Sequence, residues 1–329
     1  MKQSSKRTLK RRMAMAIVAV LALAIAGAGA RYAALKRSSG GEMLMKLDVM
    51  KRAADRGNPR MQYEMGMLYF EGVRANRDFV GALEWLRKAA DAKYVEAYYP
   101  LAYLYGTGQG VVADLQETEK LLRLAAEHDV PEGLYGLAAL WEHGVRPPVG
   151  YRIEANPEES ILLYRKAADA GLLEAQVAAG LMLAYGNGVA MNVPEALRLL
   201  EPAARLGNPK AQHELGLLME PSDSPARNLR AALRWYHKAA AAGYVPAVVR
   251  LARVYAEGGT VERNPDKAFW WWRLAQTLGA EEAKAQCDAL SREVTSWQVA
   301  RIESRLLTWT PEVREVKRSD KEGPRLPLL

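Results

Sequence analysis

Cysteine is almost absent from this chain: Cys287 is the only one among 329 residues, so no disulfide can form within a single copy. This scarcity leaves the compartment open, because many exported proteins lack disulfides. The chain also lacks a Ser-x-x-Lys motif, and its four histidines are scattered without the spacing of metal ligands. We therefore expect no metal site, no bound cofactor and no enzymatic activity.

The net positive charge is small outside the amino terminus. The formal net charge is +8, and six Lys and Arg residues within residues 1–12 supply most of it, leaving +2 for the rest. A nucleic-acid-binding protein needs a basic face that follows the phosphate backbone. We therefore expect no nucleic-acid partner, and we assign residues 1–12 to a basic cytoplasmic segment.

Charged residues are missing altogether from residues 13–30, an apolar run of 18 residues. As a helix this run would span about 27 Å, close to the thickness of the hydrocarbon core. It predicts a transmembrane signal anchor over 13–35, followed by a linker over 36–42. The basic residues before the span keep residues 1–12 in the cytoplasm and place the rest in the periplasm of a single-pass inner-membrane protein. The alternative is a signal peptide cleaved after Ala30, which would release a soluble periplasmic protein.

An internal repeat occupies most of the remaining chain. The first alanine of an Ala-Ala pair recurs every 36 residues, with one step of 42 residues and with Ala-Gln replacing the last pair. A fixed period of this size is typical of a solenoid of stacked helical hairpins. These alanines are Ala53, Ala89, Ala125, Ala167, Ala203, Ala239 and Ala275.

Residues that begin and end helices recur at the same period. Asp or Asn stands where each second helix should begin, because its side chain can accept a backbone N–H there. Glycine stands where most second helices should stop, because it adopts positive φ freely. The predicted N-caps are Asp78, Asp114, Asn156, Asn192, Asn228 and Asn264, and the predicted stops are Gly57, Gly171, Gly207, Gly243 and Gly279.

The repeats and their capping helices are predicted to extend over residues 43–308. Residues 43–56 are typical of a second helix whose first helix is missing, and residues 283–307 predict one long amphipathic capping helix. The third repeat carries an insertion at 145–155 whose role the sequence leaves open. Residues 309–329 predict a flexible polar tail.

The motifs within these repeats resemble the Sel-1-like repeat, a relative of the tetratricopeptide repeat. The resemblance rests on Leu-Gly-x-x-Tyr, Gly-x-Gly-Val and Lys-Ala-Leu-x-Trp-Tyr-x-Lys-Ala-Ala patterns, seen at residues 65–69, 110–114 and 231–240. It implies an all-α fold, a right-handed α/α superhelix, and a scaffold or adaptor that binds a protein or peptide. Bacterial members are often exported, so the resemblance implies a role in the cell envelope. The alternative is an exported envelope enzyme acting on peptidoglycan or β-lactam-like substrates.

A stripe on the first helices is the candidate binding surface. Residues two positions before the Leu of Leu-Gly-x-x-Tyr point away from it by about 200°. In tetratricopeptide-like superhelices this stripe lines the concave groove, and tyrosine is favoured at binding surfaces. The alternative is that these side chains pack between adjacent repeats. The predicted partner-binding residues are Tyr63, Met67, Tyr99, Tyr103, Tyr135, His143, Tyr185, His213 and Arg253.

Overall fold

A computed structural model of the chain describes residues 40–72, 77–147, 150–220, 228–259 and 261–312, with the side chains of residues 40–46 outside the description. Within these ranges the protein is all-α, with fifteen α-helices, one short 3₁₀-helix and one isolated antiparallel bridge. The described residues fall into two compact units, which meet in the sequence between Ala175 and Gln176. The predicted all-α helical repeat is therefore confirmed, whereas the right-handed superhelix stays a prediction.

The first unit is a series of helices that pack one against the next in chain order. Within the six repeats the even-numbered helices are the first helices and the odd-numbered helices are the second. The helices are α1 (Gly40–Asp55), α2 (Pro59–Glu71), α3 (Phe79–Asp91), α4 (Tyr98–Thr107), α5 (Leu115–Glu127), α6 (Pro131–His143) and α7 (Pro157–Asp169), with a 3₁₀-helix at Val95–Ala97.

The second unit continues the same pattern after α8 (Leu173–Tyr185), the helix in which the division falls. From α9 to α14 each helix packs against the next, and α15 packs against α13. The helices are α9 (Val193–Arg205), α10 (Pro209–Met219), α11 (Leu229–Ala241), α12 (Val245–Glu257), α13 (Pro265–Thr277), α14 (Ala283–Leu290) and α15 (Ser296–Leu306).

All six predicted N-caps are confirmed. In each second helix the Asp or Asn side chain accepts the backbone N–H three residues later, at N···O distances between 2.9 and 3.2 Å. These bonds satisfy backbone donors that the first turn of a helix leaves without partners. Each second helix therefore begins at a point that its own sequence determines.

The predicted helix stops are confirmed as well. All five predicted glycines have positive φ, and in two repeats Lys93 and Asp129 take the same left-handed conformation with φ of 60° and 54°. An L-residue pays a steric penalty there that glycine avoids. Every repeat thus requires positive φ at the end of its second helix, and glycine adopts that conformation with the least strain.

The recurring alanines mark the contact between helices. The six from Ala89 to Ala275 have no solvent exposure. Small residues on the first helices complete this close approach: a methyl group added at Gly216 would lie 2.3 Å from Cε1 of Tyr236. Small residues therefore recur every 36 residues because the helices of each hairpin approach closely at these positions.

Three predicted boundaries are wrong. Helix α1 begins at Gly40, inside the predicted linker over 36–42. The predicted single helix over 283–307 is two helices, because Thr295 and Gln298 form a capping box that starts α15. The predicted tail begins too early, because residues 309–312 still contact the second unit: the backbone N–H of Glu312 donates to the Ala241 carbonyl at 2.8 Å.

The insertion in the third repeat is held by hydrogen bonds within itself and to the neighbouring helices. Val145 and Ile153 exchange two backbone hydrogen bonds of 2.8 and 2.9 Å. The buried Glu119 carboxylate accepts from Tyr151 at 2.7 Å, from Trp141 at 3.0 Å and from Arg123 at 2.5 Å. Burial raises the pKa of Glu119, but these three hydrogen bonds outweigh it and hold the pKa below its usual range. We conclude that the insertion is an integral part of the first unit.

No helix among the described residues is both long enough and apolar enough to cross a bilayer. The predicted basic segment 1–12 and the predicted anchor 13–35 lie outside the described residues, as do residues 313–329 of the predicted tail. These three predictions therefore remain untested by the fold.

Candidate functional site

Four of the nine predicted binding residues are buried, namely Met67, Tyr99, Tyr103 and His213. Tyr99 has 3% of its surface exposed, and Met67 and Tyr103 are buried with it in the core of the first unit. The expectation that these four side chains are exposed is therefore wrong. The physical reason is packing between repeats: the Tyr99 ring lies 3.5 Å from where a Gly136 methyl group would stand, so it fills space that α6 leaves open.

The remaining five predicted residues are exposed or half-buried. His143, Tyr185 and Arg253 are exposed, whereas Tyr63 and Tyr135 are half-buried. Tyr135 lies against Tyr164, with ring centroids 5.3 Å apart, and burial together with the charges of Glu174 and Glu142 raises the pKa of Tyr135 to about 12. The contact between Tyr135 and Tyr164 therefore packs the two helices of the third repeat against each other.

Around Tyr63 the first unit forms a surface that we call the Tyr63 patch, made of Tyr63, Glu64, Tyr94, Glu96 and Glu132. The rings of Tyr63 and Tyr94 lie 5.4 Å apart. Burial and the charges of Glu64, Glu96 and Glu132 raise the pKa of Tyr63. These glutamates come from three successive repeats, so the charges that act on the Tyr63 hydroxyl come from more than one hairpin.

The second unit carries an equivalent surface, the His213 patch, made of Tyr185, His213, Glu214 and Tyr244. The rings of His213 and Tyr244 lie 5.5 Å apart, and Nδ1 of His213 lies 3.3 Å from a Glu214 oxygen. The Tyr185 hydroxyl donates to the other Glu214 oxygen. Burial raises the pKa of Glu214, but the hydrogen bonds from His213 and Tyr185 outweigh it and lower the pKa. The structure therefore joins two predicted residues, Tyr185 and His213, through a glutamate that the sequence reasoning missed.

The two patches occupy the same places in their repeats. His213, Glu214 and Tyr244 each follow Tyr63, Glu64 and Tyr94 by 150 residues, which is the sum of the four repeat steps between them. An aromatic residue followed by glutamate on the first helix, with a tyrosine after the second helix, is thus used twice. The 150-residue spacing is visible in the sequence, and it would have indicated that Tyr94 and Tyr244 lie beside Tyr63 and His213.

A charged network borders the His213 patch. Glu220 accepts the Tyr236 hydroxyl at 2.7 Å and Nε of Arg250 at 2.9 Å. The Tyr236 ring also lies 5.8 Å from His213. This network holds the ring against which His213 packs. Among the described residues, no three His, Cys, Asp or Glu side chains converge as metal ligands do.

The comparisons with known proteins agree with this architecture. A protective antigen of uropathogenic Escherichia coli strains with an SLR fold is similar over 84% of this chain, at 22% identity and a TM-score of 0.71, and the chain spans 61% of that structure. A Sel1 repeat protein from Oxalobacter formigenes is 28% identical over 70% of this chain and 99% of its own, with a TM-score of 0.56. No curated protein matches the chain. The Sel1 repeat model matches residues 59–94, 95–130, 131–172, 173–208, 209–244 and 245–279. These six matches follow one another without a gap over more than half of the chain, which therefore belongs to the Sel1 repeat family.

Proposed function

We propose that this protein is a membrane-anchored scaffold or adaptor of the bacterial cell envelope that binds a peptide or protein on the first helices of its amino-terminal repeats. Sel1-repeat proteins generally act as protein–protein interaction scaffolds. The observation that carries the proposal is the Tyr63 patch, in which two half-buried tyrosine rings lie 5.4 Å apart and the charges of glutamates from three successive repeats act on the Tyr63 hydroxyl. In a right-handed α/α superhelix this surface would line the concave groove.

The chemistry of the Tyr63 patch suits protein recognition. A tyrosine ring offers a large apolar area and a hydroxyl group, and it loses little conformational freedom on binding. Carboxylates beside the ring select partners by charge and position them by hydrogen bonds. Because Tyr99 and Tyr103 are buried, the proposal rests on Tyr63 and Tyr94 in place of the full predicted stripe.

The proposed location follows from the amino terminus. Residues 13–35 would anchor the chain in the inner membrane, with residues 1–12 in the cytoplasm and the repeats in the periplasm. The support is the 18-residue uncharged run and the six basic residues before it. No observation favours the alternative of an envelope enzyme.

Photo-crosslinking in the native host tests the proposed binding surface, and a fusion to the same chains tests the proposed location. A photo-crosslinking amino acid replaces Tyr94 in the full chain, and a matched control places it at Glu84, an exposed position on the second helix α3. We expect position 94 to form a discrete crosslinked product with another protein, and position 84 to form none. Equal crosslinking from both positions, or crosslinking from position 84 alone, would contradict the proposed surface.

The same chains carry alkaline phosphatase after Leu329, so that enzyme activity reports the side of the membrane. We expect active phosphatase, because the fusion folds only outside the cytoplasm. A fusion that is inactive, paired with a green fluorescent protein fusion that glows, would place the repeats in the cytoplasm. The amino-terminal sequence of the mature protein decides between the anchor and cleavage after Ala30.

A further inference from the structure

The imidazole ring of His213 is deeply buried, yet one of its nitrogens stays open. His213 has 8% of its surface exposed, and its ring packs against those of Tyr236 and Tyr244 at centroid distances of 5.8 and 5.5 Å. Its Nδ1 atom lies 3.3 Å from the Glu214 carboxylate, whereas its Nε2 atom forms no hydrogen bond with any described residue. Nε2 is also not one of the unpartnered polar atoms that solvent cannot reach. A group from outside the repeats can therefore reach this nitrogen.

The Glu214 carboxylate determines which proton the ring carries. Burial raises the pKa of Glu214, but hydrogen bonds from His213 and Tyr185, together with the charge of Lys210, hold it below its usual range. The carboxylate is therefore ionised at neutral pH and can only accept hydrogen bonds. In the neutral imidazole the proton accordingly lies on Nδ1, and Nε2 carries the lone pair. The open nitrogen of His213 is a hydrogen-bond acceptor.

Two tyrosines border the same carboxylate. The Tyr185 hydroxyl donates its proton to Glu214, so its oxygen keeps lone pairs for an incoming donor. Burial and then the charge of Glu214 raise the pKa of Tyr244, whose hydroxyl has no hydrogen-bond partner among the described residues. The His213 patch thus combines open acceptors, aromatic faces and one ionised carboxylate.

Two cations lie in the surroundings of this patch, and neither fills it. Lys210 is one turn before Glu214 on α10, but its side chain is exposed and forms no ion pair within the part of the chain that the structure describes. Arg250 is bound to Glu220 instead. The charge of Glu214 is therefore met by two neutral donors, with no described cation in contact.

We propose that the His213 patch binds the guanidinium group of an arginine side chain, which donates to Nε2 of His213 and stacks on the ring of Tyr244. A guanidinium is planar, carries five N–H donors and stacks on aromatic faces, so it matches a site made of acceptors and rings. An ammonium group lacks that plane, and an anion would be repelled by Glu214. The proposed function concerns the Tyr63 patch, so this second site goes beyond it.

Two sources can supply the guanidinium: an arginine of a protein partner, or Arg314 of the same chain. The backbone N–H of Glu312 donates to the carbonyl of Ala241, three residues before Tyr244, at 2.8 Å. Arg314 follows two residues later, and two residues span up to about 7 Å. An experiment on this site therefore needs one arm for each source.

The test uses the full chain in detergent micelles, with nitrogen-15-labelled histidine, and records the NMR signals of the imidazole nitrogens. Mildly alkaline pH keeps free histidine rings neutral. The probe is N-acetylarginine amide, and the amides of N-acetylcitrulline and N-acetyllysine serve as comparators. We expect the arginine amide to shift the Nε2 signal of His213 and to bind about tenfold more tightly than the uncharged citrulline amide. The signal is assigned by its loss in His213→Phe.

Two other histidines serve as internal controls in the same spectrum. Nε2 of His237 lies 3.4 Å from the Tyr255 hydroxyl in the same unit, so we expect the probe to leave its signal unchanged. His143 is exposed, and its signal reports whether arginine acts on any accessible imidazole. A shift confined to His213 therefore identifies the patch.

Two single variants with the same change in net charge test the role of the carboxylate. Glu214→Gln removes the charge behind the ring, while Glu257→Gln removes an exposed carboxylate from the same unit. We expect the first to weaken binding of the arginine amide about fivefold or more and the second to leave it nearly unchanged. Tyr185→Phe, at an exposed position, should also weaken binding, because it removes an acceptor oxygen. Circular dichroism confirms that the three variants remain folded.

The variant Arg314→Gln distinguishes the two sources. If Arg314 fills the site, this change shifts the His213 signal before any probe is added and lets the arginine amide bind more tightly. If the site is kept for an arginine of another protein, the variant and the unchanged chain give the same spectrum and the same affinity. Both results support a guanidinium site.

Three outcomes would overturn the inference. They are an unshifted His213 signal in both the unchanged chain and Arg314→Gln, equal binding of the three amides, and equal losses in Glu214→Gln and Glu257→Gln. Each of them leaves the proposed function standing, because crosslinking from position 94 reports on the Tyr63 patch of the first unit. A shift at His213 without a crosslink from position 94 would do the reverse.

Discussion

Replacing Gly216 with valine should lower the free energy of unfolding by about 2 to 3 kcal/mol, as overpacking of a filled core does. A Cβ at this position meets Tyr236 at 2.3, 2.7 and 2.8 Å, and Tyr236 is held on its far side by its hydrogen bond to Glu220. The added branches cannot be accommodated unless the ring moves and that bond breaks. Chemical denaturation followed by circular dichroism measures the loss.

A double-mutant cycle checks that the Tyr236 ring is the cause. Gly216→Ala should also destabilise the protein, and its effect should shrink when Tyr236→Leu removes the ring that it meets. Strictly additive effects of the two changes would contradict this explanation. They would mean that α10 and α11 are not in contact at Gly216.

Replacing Arg250 with methionine should destabilise the second unit by about 3 kcal/mol, because it leaves the Glu220 carboxylate largely buried without a counter-ion. The Arg250 guanidinium forms two hydrogen bonds with Glu220, whose side chain is 12% exposed. Most of the lost stability comes from the uncompensated charge of the Glu220 carboxylate, and less comes from the lost attraction between Glu220 and Arg250. Thermal unfolding at neutral pH measures it.

A second change should restore most of that stability. Glu220→Gln in the Arg250→Met background removes the uncompensated charge and keeps an oxygen that can accept the Tyr236 hydroxyl. A double variant that is no more stable than Arg250→Met alone would contradict the role given to the charge.

Features that depend on neighbouring residues in the chain were predictable from the sequence. Asn192 caps α9 through a backbone N–H only three residues away, so its role is visible in a short window. Positive φ at Gly207 follows from the need to stop a helix at that point, and Lys93 shows the same need when glycine is replaced. The 36-residue period also predicted the buried alanines, because the same helix–helix contact recurs in every repeat of a solenoid.

Features that depend on the next repeat were not predictable in the same way. The exposure of Tyr99 is set by Gly136, which lies in the following repeat and leaves room for its ring. Helical periodicity alone places Tyr63 and Tyr99 on the same stripe, yet one is half-buried and the other is in the core. Within one repeat, Tyr94 pairs with Tyr63 across 31 residues, a contact that only a comparison with His213 and Tyr244 would have indicated.

Hydrogen exchange measured on the full chain, free and bound to the protein crosslinked at position 94, tests the central claim most directly. We expect slower exchange on binding in α2, in the 3₁₀-helix at Val95–Ala97 and in α6, with α5 and α7 nearly unchanged, because the partner covers the face that carries the Tyr63 patch. Slower exchange confined to the second helices, or to the second unit, would contradict the account.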